Sequence, residues 1–323
     1  MTGAFDTSLL ARFARHGIYI GRSHGEPQGA SRGFRSGKRN LDSPAASALP
    51  LTVSGIVLAA VLSCPCTTAA DDTKSIVIAA VSCEIRIRDT AGNLKRIEAW
   101  TKRAAEQQAD LVLFPECTIH GWWQSRENRK FSETIDGPSI ARIAKIARRH
   151  QITIAVGMTE RDGDKFYLTH VIVGPNGVIG RHRKSSLSGG KTGEGRVWDA
   201  GNDANIFDIH GFKIGVAICF ESVHPATCRK LKANGAEIIL APYANGTRPA
   251  EILDPARKQR SWMWQRVKEN QLWYIACDAT PHDKRGKLQP GAAYAVSPAQ
   301  RLIACTPKDT PGEAMIVVRI EKK

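Results

Sequence analysis

Beyond Ser75 the chain alternates short apolar runs with segments of helical periodicity, and this alternation restricts the possible fold more than any other feature. "IVIAAVSC" (Ile76–Cys83), "LVLFPE" (Leu111–Glu116), "ITIAVG" (Ile152–Gly157) and "AEIILAPY" (Ala236–Tyr243) are near-continuous in apolar residues. That is the pattern of strands covered on both faces. After the first run, Leu94, Ile97, Ala104 and Ala105 fall on one helical stripe. "GPSIARIAKIARRH" opens on Gly-Pro and turns Ile140, Ile143, Ile146 and Ala147 inward. "PATCRKLKANG" predicts a helix stopped at Gly235, and "DPARKQRSWMWQRVKENQ" a single further helix. Two hairpins interrupt the alternation. Asn176-Gly177 turns "THVIVGPNGVIGRHRK", and His210-Gly211 turns "ANIFDIHGFKIGVAIC". Strands near Ala292–Val296, Leu302–Cys305 and Ala314–Ile320 finish the chain. Strand–helix alternation with hairpins inside it predicts an α/β fold with mixed sheets.

A chain of 323 residues suffices for one sizeable core. Residues 1–48 are Gly-, Ser- and Arg-rich with little periodicity, so we expect a basic leader without packed structure, or a start codon placed too far upstream. Residues 49–70 resemble a signal peptide. Leu49–Leu62 is shorter than a membrane span, and small residues up to Ala70 supply a cleavage site. Export to the periplasm or medium follows as the expectation. "VLSC" ending at Cys64 suggests the alternative of a lipid-anchored protein. A mature N-terminus near Asp71 supports the first, a lipid-modified Cys64 the second, and an uncleaved Met1 neither. Residues 73–323 form the globular domain.

The net charge of +15 raises the question of nucleic acid. The basic residues are scattered and nowhere interleaved with aromatics, so no nucleic-acid partner is expected. Of eight cysteines, Cys64 and Cys66 lie in the leader as "CPC" without a second ligand pair. No metal site is read from them, nor a disulfide framework from the other six.

Three polar residues fall where strands should end, the place where open α/β sheets gather ligand groups. Glu116 closes "LVLFPE", Lys184 follows the hairpin in "GRHRKSSL", and Cys219 closes "GVAIC". Singly, each has a plain structural explanation: a capping acid, a solvated lysine, a core thiol. Together they are what thiol-based amide chemistry needs. A carboxylate accepts the thiol proton, and an ammonium stabilises the thiolate. The same ammonium, with the N–H after the nucleophile, can hold the tetrahedral oxyanion.

In order and separation, "GNLKRIEAW…ADLVLFPE", "GVIGRHRKSSL", "GFKIGVAICFE…HP" and "GAEIILAPYANG" resemble the nitrilase superfamily of carbon–nitrogen hydrolases over nearly all of Ser75–Lys323. The resemblance implies a four-layer α-β-β-α sandwich whose subunits pair into a dimer or higher homo-oligomer. It implies Glu116 as general base, Cys219 as nucleophile and Lys184 as oxyanion and thiolate stabiliser. Glu194 in "TGEGRVWDAGN" matches a second glutamate that orients the lysine and the incoming ligand. Phe220, Glu221, Trp122, Trp123 and Tyr243 are the candidate substrate contacts. The implied activity is hydrolysis of a non-peptide amide or carbamoyl bond through a thioester, on a small-molecule substrate and without a cofactor. Alternatives are a true nitrilase acting on C≡N, and a non-catalytic member that binds a ligand. Departures from the family pattern are His182 before the Arg-Lys pair, Tyr167-Leu168-Thr169 near the hairpin, and Phe220-Glu221 after the cysteine. They bear on substrate and not on the triad.

Overall fold

Alternation of side chains along one strand explains the layering of the globular domain. Strand β2 (Ser75–Ser82) turns Ile76, Ile78 and Ala80 to one face and Val77, Ala79 and Val81 to the other. The second set packs with Leu94 and Ile97 of α1 (Thr90–Glu106) and with Ile143 and Ala147 of α2 (Pro138–His150). The first set meets Ile214, Leu240 and Ile275, which belong to a second sheet. A third cluster lies beyond that sheet, joining Ile239, Tyr274 and Tyr294 to Cys228, Leu231, Met263 and Val267 on two further helices. Three apolar interfaces between four layers make the α-β-β-α sandwich. Each fully buried Ile, Leu or Val in them stabilises the fold by roughly 1.5–3 kcal/mol.

This computed structural model describes residues 19–22, 74–258 and 261–322. The first sheet is assembled from β1 (Tyr19–Arg22), β2, β3 (Leu111–Leu113), β4 (Thr153–Asp162), β5 (Lys165–Gly174), β6 (Gly177–Arg183) and β13 (Ala314–Glu321). Their spatial order is β1-β13-β2-β3-β4-β5-β6. The second comprises β7 (Ile206–Ile209), β8 (Phe212–Val216), β9 (Ile238–Pro242), β10 (Trp273–Cys277), β11 (Ala293–Val296) and β12 (Leu302–Cys305), in the order β12-β11-β10-β9-β8-β7. In each sheet three central strands run parallel, β2-β3-β4 and β8-β9-β10, and hairpins extend the flanks. The C-terminal ends of β3 and β8, one strand from each trio, lead to Glu116 and Cys219, while Lys184 follows the hairpin strand β6 and Glu194 lies in the loop after it.

The two hairpins anticipated at Asn176-Gly177 and His210-Gly211 are present. A third was not anticipated: β4 continues to Asp162 and returns at Lys165 as β5 across the two-residue loop Gly163-Asp164, with Gly163 at φ +59°. Two expectations need correction. Tyr19–Arg22, inside the leader expected to lack packed structure, is an edge strand antiparallel to β13, where "YI" supplies β-forming residues. The rest of the leader, the 49–70 segment and Cys64 lie outside the described residues. The single helix expected over "DPARKQRSWMWQRVKENQ" is divided into α5 (Pro255–Lys258) and α6 (Trp262–Asn270), because Ser261 takes an extended conformation and starts a new helix. They follow α3 (Pro225–Ala233) and the short α4 (Pro249–Leu253).

Candidate active site

Glu116 reaches the site because the chain turns sharply after β3. Its backbone N–H donates to the Tyr243 carbonyl oxygen at 3.2 Å, which ties the two sheets together at their C-terminal ends. Gly157 of β4 lies beneath this turn. A Cβ there would stand 2.3 Å from the Cys117 nitrogen, so only glycine permits the approach. Lys184 is placed by the period of β6. His182 and Lys184 face the site, while Arg183 between them points away and grips buried Glu160 at 2.6 and 2.9 Å. Cys219 stands three residues beyond β8 at φ +47°, a left-handed backbone that non-glycine residues rarely adopt. The strain raises its side chain above the sheet.

These side chains converge. Lys184 Nζ donates to Glu116 Oε1 at 2.8 Å and to Glu194 Oε1 at 3.0 Å. Lys184 is completely buried, and both glutamates are nearly so. Glu194 is held in turn by Trp122 Nε1 at 3.1 Å and the Ser188 N–H at 2.7 Å. The Cys219 thiol donates to Asn245 Oδ1 at 3.6 Å and is close enough to Glu116 for each to shift the other's ionisation. Burial opposes the charge on Lys184, but Glu116, Cys219 and Glu194 outweigh it and push its pKa above the ordinary lysine value. Burial raises the Glu116 carboxyl, Lys184 lowers it, and the net shift is upward. Burial, and then the Glu116 charge, raise the Cys219 thiol well above its usual value despite Lys184. Lys184 was expected to stabilise the thiolate; its effect is in that direction but is exceeded. These shifts favour the neutral thiol over the thiolate at Cys219.

A cavity of about 320 Å³ opens over Cys219, lined by Phe220, Ser222, Tyr243, Asn245, Met263 and Tyr294 among others. The Tyr243 hydroxyl joins Ser222 and Tyr274 at 2.6 Å each. Phe220 and Tyr243 therefore lie where substrate contacts were expected. Three other candidates do not. Trp122 is the donor that fixes Glu194. Trp123 stands exposed on the surface beneath the Arg88 guanidinium, 4.3 Å from its ring centre. Glu221 is wholly buried and saturated with protein donors: the Ile218 N–H at 2.7 Å, the Ser185 N–H at 2.7 Å, the Ser185 hydroxyl at 2.6 Å and His182 Nε2 at 2.8 Å. It clamps the turn of Cys219 to the strand end of Lys184, and no lone pair remains for substrate.

Asp278 and Asn245 join the site without having been singled out in the sequence. Asp278, just after β10, receives the N–H groups of Asn245, Gly246 and Thr247 at 2.8, 3.1 and 3.0 Å, and so shapes the loop that puts Asn245 beside the thiol. Its position after an apolar run is the same signal that marks Glu116 and Cys219. Among the described residues no group of three or more His, Cys, Asp or Glu has metal-site geometry.

The donors on Glu221 outweigh its burial and hold its carboxyl below the usual range, His182 being the largest favourable contribution. A carboxyl depressed in the folded state stabilises above its unfolded pKa, near 4.3, and loses that contribution as pH falls through the folded value. Glu221→Gln is therefore expected to cost roughly 2–4 kcal/mol at pH 7. The gap from wild type should narrow below about pH 4. Denaturant melts across pH test this; a gap that stays constant with pH would show that the charge of Glu221 contributes nothing.

The fold is an α/β sandwich that brings two acids and a lysine to a thiol at the sheet ends. The carbon–nitrogen hydrolase family model matches residues 77–322, and the chain belongs to that family, within the nitrilase superfamily. It is 28% identical over 232 residues to a nitrilase of Pyrococcus abyssi, covering 71% of this chain and 84% of that protein. It is 25% identical over 217 residues to an (R)-stereoselective amidase of a Pseudomonas species, covering 67% and 75%. In fold it is similar to a mutant amidase from Nesterenkonia sp. AN1 in complex with acrylamide (TM-score 0.63, 20% identity, 76% and 91% covered).

Proposed function

We propose that the chain hydrolyses a non-peptide amide or carbamoyl C–N bond through a thioester on Cys219. The observation that carries this is the buried Lys184 shared between Glu116 and Glu194 beside the Cys219 thiol. Burying three charged groups is costly and contributes little to stability that apolar residues would not. It is intelligible where proton transfer and oxyanion stabilisation are required.

In this reading Glu116 takes the thiol proton as sulfur forms its bond to the carbonyl carbon. The carbonyl π pair moves to oxygen, and the ammonium of Lys184 and the N–H of Phe220 stabilise the oxyanion. Collapse breaks the C–N bond, and Glu116 returns its proton to the departing ammonia or amine. Glu116 then deprotonates water, which attacks the thioester. The C–S bond breaks and the thiol is restored. Glu194 positions Lys184 and does not touch substrate.

A nitrile is the second reading, favoured by the Pyrococcus relative. The same groups would attack a C≡N carbon. Intact-protein mass spectrometry after exposure to amides, N-carbamoyl compounds and nitriles separates the two. An acyl adduct on Cys219 with ammonia release from amides is the expected result. Adducts and turnover from nitriles alone would replace the amidase reading, and absence of any adduct or turnover would favour a ligand-binding member.

A further inference from the structure

The cavity over Cys219 does not end at Met263. A second cavity of about 670 Å³ shares Thr247, Ile252, Ser261 and Trp262 with it, so the two meet along α4 and the start of α6. Among the described residues lining the inner cavity, none carries a formal charge. Its hydroxyl and amide groups, including Ser222, Tyr243 and Asn245, lie near the reacting sulfur. Apolar side chains, including Val223, Ile252, Met263 and Trp262, supply much of the remaining wall.

Trp262 is the most exposed large apolar side chain in the described part of the molecule, at 55%. It occupies the first position of α6, a helix fixed to the second sheet through Met263, Trp264 and Val267. Its neighbours on the helix are therefore anchored, while its own indole stands at the junction of two cavities. An exposed indole on a rigid element, beside an opening, is a binding surface awaiting an apolar group.

We infer that the site accepts amides whose acyl group is uncharged, apolar and long enough to reach from Cys219 to Trp262, with Trp262 and Ile252 as its specificity-determining platform. This inference rests on the amidase reading above. A carboxylate on the acyl chain would be desolvated in the inner cavity with no countercharge among its described lining residues, and at Trp262 it would meet Glu251 and Asp254 of the second cavity, at substantial cost. Each methylene that leaves water is worth about fourfold in binding.

The test compares kcat/KM for acetamide, pentanamide, phenylacetamide and succinamate, the last close to pentanamide in length but anionic. Wild type is expected to favour pentanamide over acetamide by about tenfold or more, and over succinamate by at least a similar factor. Trp262→Ala should lower the pentanamide-to-acetamide ratio about fivefold, chiefly through KM. Trp123→Ala, which removes an exposed indole that lines neither cavity, should leave the ratio unchanged. A wild-type ratio near one, a preference for succinamate, or an unchanged ratio in Trp262→Ala would overturn the platform. If light scattering also showed Trp262→Ala dissociating an oligomer with the ratio intact, the indole would be a subunit contact instead. The nitriles of the same acyl groups are assayed in parallel. Turnover of nitriles without amides would overturn the amidase reading, and their own chain-length ratio would still decide for or against Trp262.

Discussion

Glu116→Gln is expected to lower turnover by roughly 10²–10⁴-fold while leaving the fold intact. The substitution keeps the shape of the side chain and an oxygen that can accept from Lys184, now 2.8 Å from Oε1. It removes the ability to take a proton. That matters because the Cys219 thiol is raised well above its ordinary value, so almost no thiolate is present at neutral pH without a base. It also removes the group that returns a proton to the leaving amine, so acylation fails and not only deacylation. Stability should move the other way. A carboxyl raised in the folded state favours folding below its unfolded pKa and loses that contribution as pH rises through the folded value. At pH 7 the neutral amide escapes this cost, so the variant should melt at or above the wild-type temperature. Steady-state kinetics and thermal melts on the same preparation check both. Near wild-type kcat in Glu116→Gln would remove the base assignment and the proposed mechanism with it.

Strand periodicity makes the layers legible in the sequence. Ile76, Ile78 and Ala80 on one face of β2, with Val77, Ala79 and Val81 on the other, require apolar partners on both sides. Only sheets covered by helices or by another sheet satisfy that. The β4–β5 hairpin is legible from its Gly163-Asp164 loop, but the charged run from Glu160 to Lys165 hides the strand alternation on either side of it. The break before α6 is hidden because Ser261 can stand inside a helix as well as at the N-cap position that it takes.

The site divides in the same way. Glu116, Lys184 and Cys219 are legible because strand ends can be located from apolar runs. The identity of their supports is not. Glu221, two residues after Cys219, reads as a substrate contact from its place in the chain. Its actual partners, Ser185 and His182, come from a strand of the other sheet and the residues just beyond it. His182, which departs from the family pattern, makes the same contact, its ring reaching Glu221 Oε2 at 2.8 Å. The paired tryptophans show the limit of adjacency. Trp122 turns inward to Glu194, and Trp123 turns outward to Arg88, as consecutive residues in extended chain tend to do.

Lys184→Ala is expected to reduce kcat by about 100-fold or more, equivalent to about 2.7 kcal/mol of transition-state stabilisation. Two effects combine. The oxyanion loses a charged donor, and Glu116 loses the cation that holds its pKa down. With Lys184 gone, Glu116 and Glu194 face each other as two buried carboxylates, and one must take up a proton. The acid limb of the pH–rate profile should therefore move to higher pH, because a smaller fraction of Glu116 is ionised as a base at any given pH. A lost oxyanion donor alone would lower the plateau without moving the limb, so the profile separates the two contributions. Lys191→Ala provides the comparison. Lys191 is exposed on the loop that carries Glu194, and its removal changes the net charge equally. It should alter kcat by less than about threefold and leave the limb in place. Equal losses in the two variants would place the function in the charge of the loop, and not in the ammonium buried between Glu116 and Glu194.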